Sequence, residues 1–405
     1  MKRDDLKNFF NPKTIAVIGA SNNPKKVGNI LMQKLSNFKG KVIPINIKHK
    51  EILGEKAYPS LTKYSGKIDL AMIAIPAKLV KKILQDCEKK SIKNVIIISA
   101  GFSEVGNDKL EKEIIQIAKK YRINLLGPNC FGMANPYLDL DVTFSKTSAK
   151  KGNIAFISQS GALWSYISDY SGKFGFSGFV SLGNMADLDF YDFIRYFNRH
   201  KKTKKIVLYI EKLKQGRKFI EACRKSKKQI IVVKAGKTEK GSQAAISHTG
   251  SLATDFEIYK GAFKQANVKL ADSLASAFGL KKENIASKIK KKKVIILTNA
   301  GGAGALITDY LVEKGFDVQS PIDLIGTALA EDYQIALKRL KNRNYDSIIV
   351  VLTPQSMSEP EKTAEVLVKL PIKKKIIACF LGKKSVTKAK QILEKNNIPC
   401  FTHCC

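Results

Sequence analysis

Short runs of β-branched residues alternate with longer amphipathic stretches along almost the whole chain, and this alternation restricts the fold more than any other feature. Such an alternation is typical of parallel sheets whose strands are joined by crossover helices. The 405 residues can bury a large core and correspond to two or three domains. The sequence therefore predicts an α/β protein built from several units of this kind.

Three successive units are predicted. In the first, residues 1–146, two amphipathic helices are expected at 78–90 and 108–121, and strands at 14–18, 41–45, 69–75, 94–98 and 123–126. The second unit, 147–285, follows a polar segment at 145–152, with strands at 153–157, 178–182, 205–210 and 229–233. A lysine-rich linker is expected at 281–293. The third unit, 290–405, has strands at 294–298, 347–352 and 375–380. Each unit is predicted to be doubly wound.

The charge balance is strongly basic, with 71 lysines and arginines, 35 acidic residues and a formal net charge of +36. Such a field favours encounters with polyanions. However, no zinc finger, helix-turn-helix signature or aromatic RNA-binding strand accompanies the charge. Most lysines fall on predicted helix faces and loops, so we expect a solvated surface that also suits phosphorylated ligands. Nucleic acid is not the expected partner, although charge alone would support it.

The chain carries no signal of a membrane protein. No stretch approaches the roughly 18 consecutive apolar residues of a membrane-spanning helix, and residues 1–10 lack an apolar signal core. The seven cysteines are scattered without metal or disulfide spacing, which is typical of free thiols in a reducing compartment. A cytoplasmic protein is expected. Cys404 and Cys405 are expected to fray at the end of the chain rather than to act as a redox pair.

A glycine-rich turn follows the first predicted strand. Gly19 permits a tight turn, and the N–H groups at the start of the next helix can hold a phosphate. The spacing lacks the three close glycines of the dinucleotide fingerprint, and the second strand ends at Asn46 rather than at an acidic residue. NAD is therefore disfavoured, and a plain turn between strand and helix stays an alternative.

Small residues also follow three later strands of this unit. Pro76 comes after the third strand, Ser99 and Gly101 after the fourth, and Asn129 after the fifth. Because the carboxyl ends of parallel strands lie at one edge of a sheet, these residues predict a single ligand crevice.

One histidine of the second unit stands among small residues and glycines, in the segment 241–253. Neutral imidazole is nucleophilic near pH 7, and a phosphoryl group on it is transferable. The small residues predict a mobile loop in which His248 carries such a group. His49, His200 and His403 lack this context and are expected to be structural or exposed.

Two further segments are expected to serve His248. Ser160 and Gly161 lie between a strand and a helix, so the N–H groups of that helix could hold the phosphoryl group. Glu211 follows another strand and could orient the imidazole. The run from Gly236 to Thr238 resembles the end of a P-loop, but the glycine required five residues earlier is absent, so no Walker motif is present.

Four segments in this order resemble the CoA-binding alpha subunit of NDP-forming acyl-CoA synthetases, the ADP-forming acetate–CoA ligase group of the succinyl-CoA synthetase superfamily. They are Ile18-Gly19-Ala20-Ser21, Gly127-Pro128-Asn129-Cys130, Ser158-Gln159-Ser160-Gly161 and Ser247-His248-Thr249-Gly250. The resemblance covers nearly the whole chain. The third unit, which opens with Thr298-Asn299-Ala300-Gly301-Gly302, distinguishes the chain from a plain succinyl-CoA synthetase alpha subunit.

The resemblance implies a Rossmann-like CoA-binding domain followed by two flavodoxin-like domains. It also implies the reversible conversion of acyl-CoA, ADP and phosphate into acid, CoA and ATP, through an acyl phosphate and a phosphohistidine. His248 would be the phosphorylated residue and Glu211 its stabiliser. The residues implied to hold phosphate are Ser160, Gly161, Ala162 and Asn129. The residues implied to hold coenzyme A are Gly19, Ser21, Asn22, Lys48, Pro76, Ser99 and Gly101.

No ATP-grasp domain follows in the sequence, and no metal site is expected in this chain. The resemblance therefore implies that ADP or ATP and Mg²⁺ bind through a separate ATP-grasp beta subunit, in an α2β2 assembly. The family usually continues for another helix or two beyond the point corresponding to Cys405. The third domain is accordingly expected to be truncated or capped by the partner.

The main alternative is a non-catalytic CoA-sensing or regulatory module, including relatives attached to protein acetyltransferases. A pure sensor needs neither His248 nor Glu211, so their joint presence favours the enzyme. The acyl substrate stays open between acetate, branched-chain and aryl acids.

Overall fold

The computed structural model describes residues 6–249, 255–340, 343–372 and 376–405, without the side chains of 246–249. Three mainly parallel sheets with flanking helices build the chain, as the strand alternation predicts. Within the described ranges, no helix has both the length and the apolar character needed to cross a membrane.

The first sheet follows the order β2-β1-β5-β6-β7, with every neighbouring pair parallel. Its strands and the small hairpin β3–β4 are β1 Thr14–Ile18, β2 Lys41–Ile45, β3 Glu51–Ile52, β4 Glu55–Lys56, β5 Leu70–Ile73, β6 Asn94–Ile97 and β7 Asn124–Leu126. Its helices are α1 Lys7–Phe10, α2 Val27–Lys34, α3 Val80–Lys89 and α4 Asp108–Tyr121. Short 3-10 turns lie at Leu61–Lys63, Ala77–Leu79 and Ser103–Val105. Because the chain passes to opposite sides of β1, a crevice is expected where β1 and β5 end.

The second sheet follows the order β14-β13-β12-β10-β11-β8-β9. Its strands are β8 Gly132–Asn135, β9 Leu140–Thr143, β10 Lys151–Ser158, β11 Phe176–Ser181, β12 Lys205–Ile210, β13 Gln229–Lys234 and β14 Lys269–Leu270. Its helices are α5 Ala162–Ser168, α6 Phe190–Arg199, α7 Gly216–Arg224, α8 Glu239–Thr249, α9 Phe256–Gln265 and α10 Leu274–Ala277, with a 3-10 turn at Pro136–Leu138.

The hairpin of β8 and β9 precedes the domain boundary predicted at residue 146 but belongs to the second sheet. Met133 and Ala134 of β8 pair antiparallel with Val180 and Phe179 of β11, so the hairpin extends the second sheet. Its side chains also face the core between the first two sheets, where Met133 and Val142 are fully buried. This hairpin therefore joins the first two units into one packed body.

The third sheet follows the order β16-β15-β18-β19-β20, and β17 pairs with the end of β15. Its strands are β15 Lys293–Thr298, β16 Asp317–Val318, β17 Ile322–Asp323, β18 Ser347–Leu352, β19 Ile376–Phe380 and β20 Cys400–Phe401. Its helices are α11 Gly301–Glu313, α12 Ala330–Arg339, α13 Pro360–Lys369 and α14 Thr387–Lys395, with 3-10 turns at Ile285–Lys288 and Lys384–Val386.

The second and third sheets share one hydrophobic core. Trp164 of α5 and Ile307 of α11 are fully buried in the same cluster, together with Ile285 of the predicted linker. The linker is therefore packed rather than loose, with exposed lysines and buried isoleucines. Asp169 adds a polar tie, because its carboxylate accepts the N–H groups of Lys383 at 2.6 Å and Ser385 at 3.0 Å.

The end of the chain differs from the sequence expectation. Cys404 and Cys405 are almost completely buried, and Cys404 lies in the same hydrophobic cluster as Cys379. The expectation of a frayed end is wrong, because β20 pairs with β19 and carries the terminal residues into the core. Burial raises the pKa of the neighbouring Cys400 thiol to about 12, which disfavours the reactive thiolate.

Glu283 fastens this terminal segment and makes it sensitive to acid. Its carboxylate accepts the N–H groups of Thr402 at 2.5 Å and His403 at 2.8 Å. Burial alone would raise the Glu283 pKa, but the hydrogen bonds from His403 and Thr402 lower it to about 2. The ionised carboxylate therefore stabilises the fold above pH 4.5, and this contribution is lost as the pH falls towards 2.

Glu283→Gln is expected to remove this acid-sensitive contribution. Because the carboxylate is only half-buried and partly screened by water, we expect a loss of about 1–2 kcal/mol in the free energy of unfolding at pH 7. Denaturant unfolding from pH 7 to pH 2 measures the effect, and the two proteins should converge at the acid end. A stability difference that does not shrink on acidification would contradict this role of Glu283.

Candidate functional site

The histidine segment is helical, which differs from the predicted loop. Helix α8 runs from Glu239 to Thr249, so His248 occupies its penultimate position. The Thr238 hydroxyl accepts the N–H of Gly241 at 3.0 Å, the interaction of a helix N-cap. The side chain of His248 and residues 250–254 lie outside the described part of the chain. The predicted hydrogen bond between Glu211 and His248 therefore stays a prediction.

Ser160 lies in the turn between β10 and α5, as predicted. Ser158 holds this turn, because its hydroxyl donates to the carbonyl of Ser160 at 2.6 Å. The hydroxyl of Ser160 itself is buried and has no hydrogen-bond partner among the described residues. Gly161 is in close contact with Phe131, since a Cβ added at Gly161 would lie 2.2 Å from the Phe131 Cβ. Ala162 then begins α5.

A second helix start meets Ser160 from the third domain. Helix α11 begins at Gly301, and a Cβ added at Gly302 would lie only 2.6 Å from both Cβ and Oγ of Ser160. The hydroxyl of Tyr209 donates to the carbonyl of Gly302 at 3.1 Å. Helix N-termini carry partial positive charge, so two helix starts around a buried hydroxyl make a place for an anion.

Sequence reasoning missed this contribution of the third domain. The signal was nevertheless present, because Thr298-Asn299-Ala300-Gly301-Gly302 follows a strand and opens a helix, as Ser158-Gln159-Ser160-Gly161-Ala162 does. The two turns are also built alike. The Thr298 hydroxyl donates to the carbonyl two residues later, as the Ser158 hydroxyl does.

Glu211 lies directly after β12 and is buried beside this turn. Its N–H donates to the side-chain oxygen of Gln159 at 2.7 Å. Burial raises the pKa of Tyr209 well above its usual value, and the neighbouring Glu211 carboxylate raises it further by charge and by a hydrogen bond. The structure thus brings the predicted Glu211 to the same edge of the sheet as Ser160.

Lys234 was not selected from the sequence, but its side chain holds the backbone of Glu211 in place. Its ammonium group donates to the Glu211 carbonyl at 2.9 Å and also to the carbonyl of Ala235. It lies 4.4 Å from the ring centroid of Tyr259, within the range of a cation–π interaction. Burial lowers the Lys234 pKa to about 8, although the charges of Asp309 and Glu211 oppose the shift. The sequence does contain a signal for Lys234, because a lysine at the end of a buried β-branched strand is unusual.

Most residues predicted to hold coenzyme A lie at the carboxyl edge of the first sheet. Gly19 has a positive φ of 92°, and an added Cβ would lie 2.4 Å from the carbonyl oxygen of Ala74. Ser99 joins neighbouring strand ends, because its hydroxyl accepts the N–H of Ile75 at 3.2 Å. The other predicted residues at this edge are Ser21, Pro76 and Gly101.

Asn22 and Lys48 occupy the same edge in different ways. The amide of Asn22 accepts the N–H of Leu53 at 2.9 Å and donates to the carbonyl of Glu51 at 3.1 Å, so it holds the β3–β4 hairpin. Lys48 is exposed on the segment after β2, where its N–H donates to the Asn46 side chain at 2.7 Å. Asn22 therefore shapes the crevice, whereas Lys48 offers a charge to it.

Asn129 connects the first and second sheets. Its backbone N–H donates to the carbonyl of Ser99 at 2.9 Å, and its side-chain amide donates to Asn184 at 3.3 Å. Asn184 in turn donates to the carboxylates of Glu104 at 2.5 Å and Glu111 at 2.8 Å. Helix α8 approaches the same place, where it contacts the 3-10 turn Ser103–Val105. The histidine helix thus packs near both predicted ligand regions.

No cluster of three or more histidine, cysteine, aspartate or glutamate side chains suited to a metal ion occurs among the described residues. The polar groups at the two sheet edges include hydroxyls, amides and backbone N–H groups, together with the carboxylate of Glu211. The hydroxyls, amides and N–H groups suit phosphate and CoA.

Two family models match the chain. A CoA binding domain matches residues 13–136, and a succinyl-CoA ligase like flavodoxin domain matches residues 151–282. The alpha subunit of ADP-forming acetate–CoA ligase II from Pyrococcus furiosus is 41% identical over 428 residues, covering 97% of this chain and 93% of that subunit. The chain belongs to the ADP-forming acetate–CoA ligase family.

Other members of the family extend this comparison. The dinucleotide-forming acetyl-coenzyme A synthetase 1 of Ca. Korarchaeum cryptofilum, solved with phosphate and ADP, is 35% identical with a TM-score of 0.65. That match covers 98% of this chain and 93% of the solved one. The ADP-forming 4-hydroxybutyrate–CoA ligase of Nitrosopumilus maritimus is 35% identical over 98% of this chain, which spans 62% of its length.

These relatives confirm the predicted family, the α/β fold class and the ligase class. They favour the ligase over the non-catalytic CoA sensor. The name alpha subunit in the Pyrococcus relative implies a partner subunit in this family. These names do not assign roles to individual residues of this chain.

Proposed function

We propose that this chain is the CoA-binding alpha subunit of an ADP-forming acyl-CoA synthetase. The reaction converts acyl-CoA, ADP and inorganic phosphate into a free acid, CoA and ATP, and it is reversible. The observation that carries the proposal is the buried Ser160 hydroxyl, which lacks a partner among the residues that the structure describes, at the place where the starts of α5 and α11 meet. A buried polar group without a partner is costly, and a bound phosphoryl oxygen would satisfy it.

The first step takes place at the carboxyl edge of the first sheet. Gly19, Ser99 and Gly101 would line the site of CoA there, and exposed Lys48 offers a counter-charge to its phosphates. An oxygen of inorganic phosphate attacks the acyl carbonyl, the C–S bond breaks, and CoA leaves as the thiol. Asn129 lies between this edge and Ser160, and it would bind the acyl phosphate formed.

The second step moves the phosphoryl group onto the chain. An imidazole nitrogen of His248 attacks phosphorus, the P–O bond to the acyl group breaks, and the acid leaves as its carboxylate. Glu211 would accept the remaining imidazole N–H and stabilise the positive charge on the phosphorylated ring. Ser160, Gly161 and Ala162, with Gly301 of α11, would hold the phosphoryl oxygens by N–H groups and the free hydroxyl.

The third step returns the phosphoryl group to a nucleotide. A terminal phosphate oxygen of ADP attacks the phosphohistidine, the P–N bond breaks, and ATP leaves. We propose that ADP and Mg²⁺ are held by an ATP-grasp beta subunit in an α2β2 assembly. His248 must then reach a second position, which requires motion of its segment.

A mixing experiment tests this function. Acetyl-CoA, phosphate, ADP and Mg²⁺ are supplied to the chain, to an ATP-grasp subunit of the same family, and to both together. ATP formation should require both proteins, and it should also require phosphate. Phosphate-dependent CoA release without ATP formation would show that the chain performs only the first step. Tight binding of CoA to the chain, without CoA release or ATP formation even with an ATP-grasp subunit of demonstrated activity, would support the CoA-sensor alternative instead.

A further inference from the structure

Asp309 joins the third domain to the base of the histidine helix. It lies on α11 and is only 3% exposed. Its carboxylate accepts three consecutive backbone N–H groups just before α8, those of Gly236 at 2.7 Å, Lys237 at 2.9 Å and Thr238 at 2.8 Å. The hydroxyl of Thr238 adds a fourth hydrogen bond at 2.9 Å. A single buried carboxylate thus accepts hydrogen bonds from every residue of the turn that resembles the end of a P-loop.

The backbone of α8 is fitted closely against this carboxylate. A Cβ added at Gly241 would lie 1.9 Å from an Asp309 carboxylate oxygen, so only glycine allows the approach. Gly236 has a positive φ of 76°, which glycine adopts without strain and which aims its N–H at Asp309. Both glycines are therefore explained by the contact with Asp309.

Helix α8 also packs along α11 beyond Gly241. Ala244 and Ala245 are buried in the cluster that contains Ala303 and Ile307. Alanine methyl groups bury little apolar area, whereas charge-assisted hydrogen bonds to a buried carboxylate are strong. The contact with Asp309 therefore fixes the start of α8 to the third domain.

Helix α11 connects this anchor to the phosphate site. Gly302 contacts Ser160 at one end, and Asp309 lies seven residues later, about 10 Å along the same helix. A rigid helix keeps the two points at a fixed separation. The base of the histidine helix is therefore held in register with the Ser160 turn.

We infer that Asp309 is a positioning residue that fixes residues 236–241 to the third domain and thereby sets where α8 presents His248 for phosphate transfer. The inference rests on the proposed phosphohistidine relay. Without the anchor, the whole of α8 would detach, and His248 would search a larger volume before each transfer. Phosphorylation and dephosphorylation of His248 would both slow, whereas binding of acyl-CoA and ADP would not change.

The test uses the complete enzyme, chain and partner subunit together, with Asp309→Asn and a matched control, Asp169→Asn. Asp169 is also a buried carboxylate that ties the second domain to backbone N–H groups of the third, but it accepts them from Lys383 and Ser385, away from α8. In rapid-mixing single turnovers, Asp309→Asn should slow both transfers at least about tenfold, with unchanged KM values. Asp169→Asn should stay within about twofold of the parent enzyme.

Equal slowing by the two variants, or normal transfer in Asp309→Asn, would overturn the inference. Amide hydrogen exchange on the unaltered enzyme gives an independent reading, even if Asp309→Asn does not fold. Residues 236–238 should keep the same protection with acyl-CoA and phosphate as with ADP, as a fixed anchor requires. A change at 236–238 between these conditions would also overturn it. If the parent enzyme forms no phosphohistidine, the proposed function fails instead, and exchange at 236–238 still reports on the anchor.

Discussion

His248→Asn is expected to abolish the phosphoenzyme and to lower ATP formation by at least about 10⁴-fold, the scale seen when a covalent nucleophile is removed. Asparagine approximates the size of imidazole but cannot accept a phosphoryl group. With the partner subunit, Mg²⁺ and labelled ATP, the parent chain should acquire a phosphate that is stable in base and lost in acid. The variant should acquire none.

The first step should survive this substitution, because phosphate attacks acyl-CoA without the histidine. Phosphate-dependent release of CoA, measured as free thiol, should therefore continue in His248→Asn for at least one turnover. His200→Asn is the matched control, since His200 lies at the end of α6 and its ring nitrogen contacts Thr203 at 2.9 Å. Persistent acid-labile label in His248→Asn, or its absence from an active parent enzyme, would rule out the assignment.

The sequence predicted the strands well because buried parallel strands are nearly continuous apolar runs. The runs at 14–18, 41–45 and 205–210 coincide with β1, β2 and β12. Two-residue strands such as β16 and β17 carry no comparable signal, since tertiary packing rather than residue preference defines them. The hairpin β8–β9 was missed for a related reason, because glycine and proline near it are typical of turns.

The histidine segment shows where local reasoning fails. Its small residues suit a loop, but Ala244 and Ala245 also favour a helix. The helix is favoured over a loop by Thr238, which caps it, and by Asp309, which lies 71 residues later in the chain than Thr238. A contact at that separation leaves no trace in a local pattern.

The contribution of the third domain to the site becomes apparent only in the folded structure. The order β13-β12-β10-β11 of the second sheet matches β19-β18-β15-β16 of the third. The side chain of Gln159 accepts the N–H of Glu211, and that of Asn299 accepts the N–H of Thr353 at the equivalent place. Because Thr353 replaces the carboxylate, only the second domain keeps an acidic residue there. The third domain contributes a helix start instead.

Gly302→Ala is expected to test that contribution. The added methyl carbon would lie 2.6 Å from Ser160 and 2.8 Å from the Tyr209 hydroxyl, so the start of α11 must move away. Overpacking of this kind costs about 1–3 kcal/mol. A displacement near 1 Å at a site that positions reacting groups lowers rates by roughly 100-fold. Phosphorylation of His248 should therefore fall by about this factor, and the apparent affinity for phosphate should weaken.

Gly304→Ala supplies the control on the same helix. Its added methyl carbon would meet the Thr298 methyl group at 3.2 Å and otherwise only Pro321 atoms beyond 3.5 Å, away from Ser160. Both substitutions gain the same helix preference of alanine over glycine, about 1 kcal/mol, so this effect cancels between them. Rapid-quench labelling and thermal unfolding compare the two variants. If Gly304→Ala slows phosphorylation as much as Gly302→Ala does, α11 acts through general packing, and its start has no special role at Ser160.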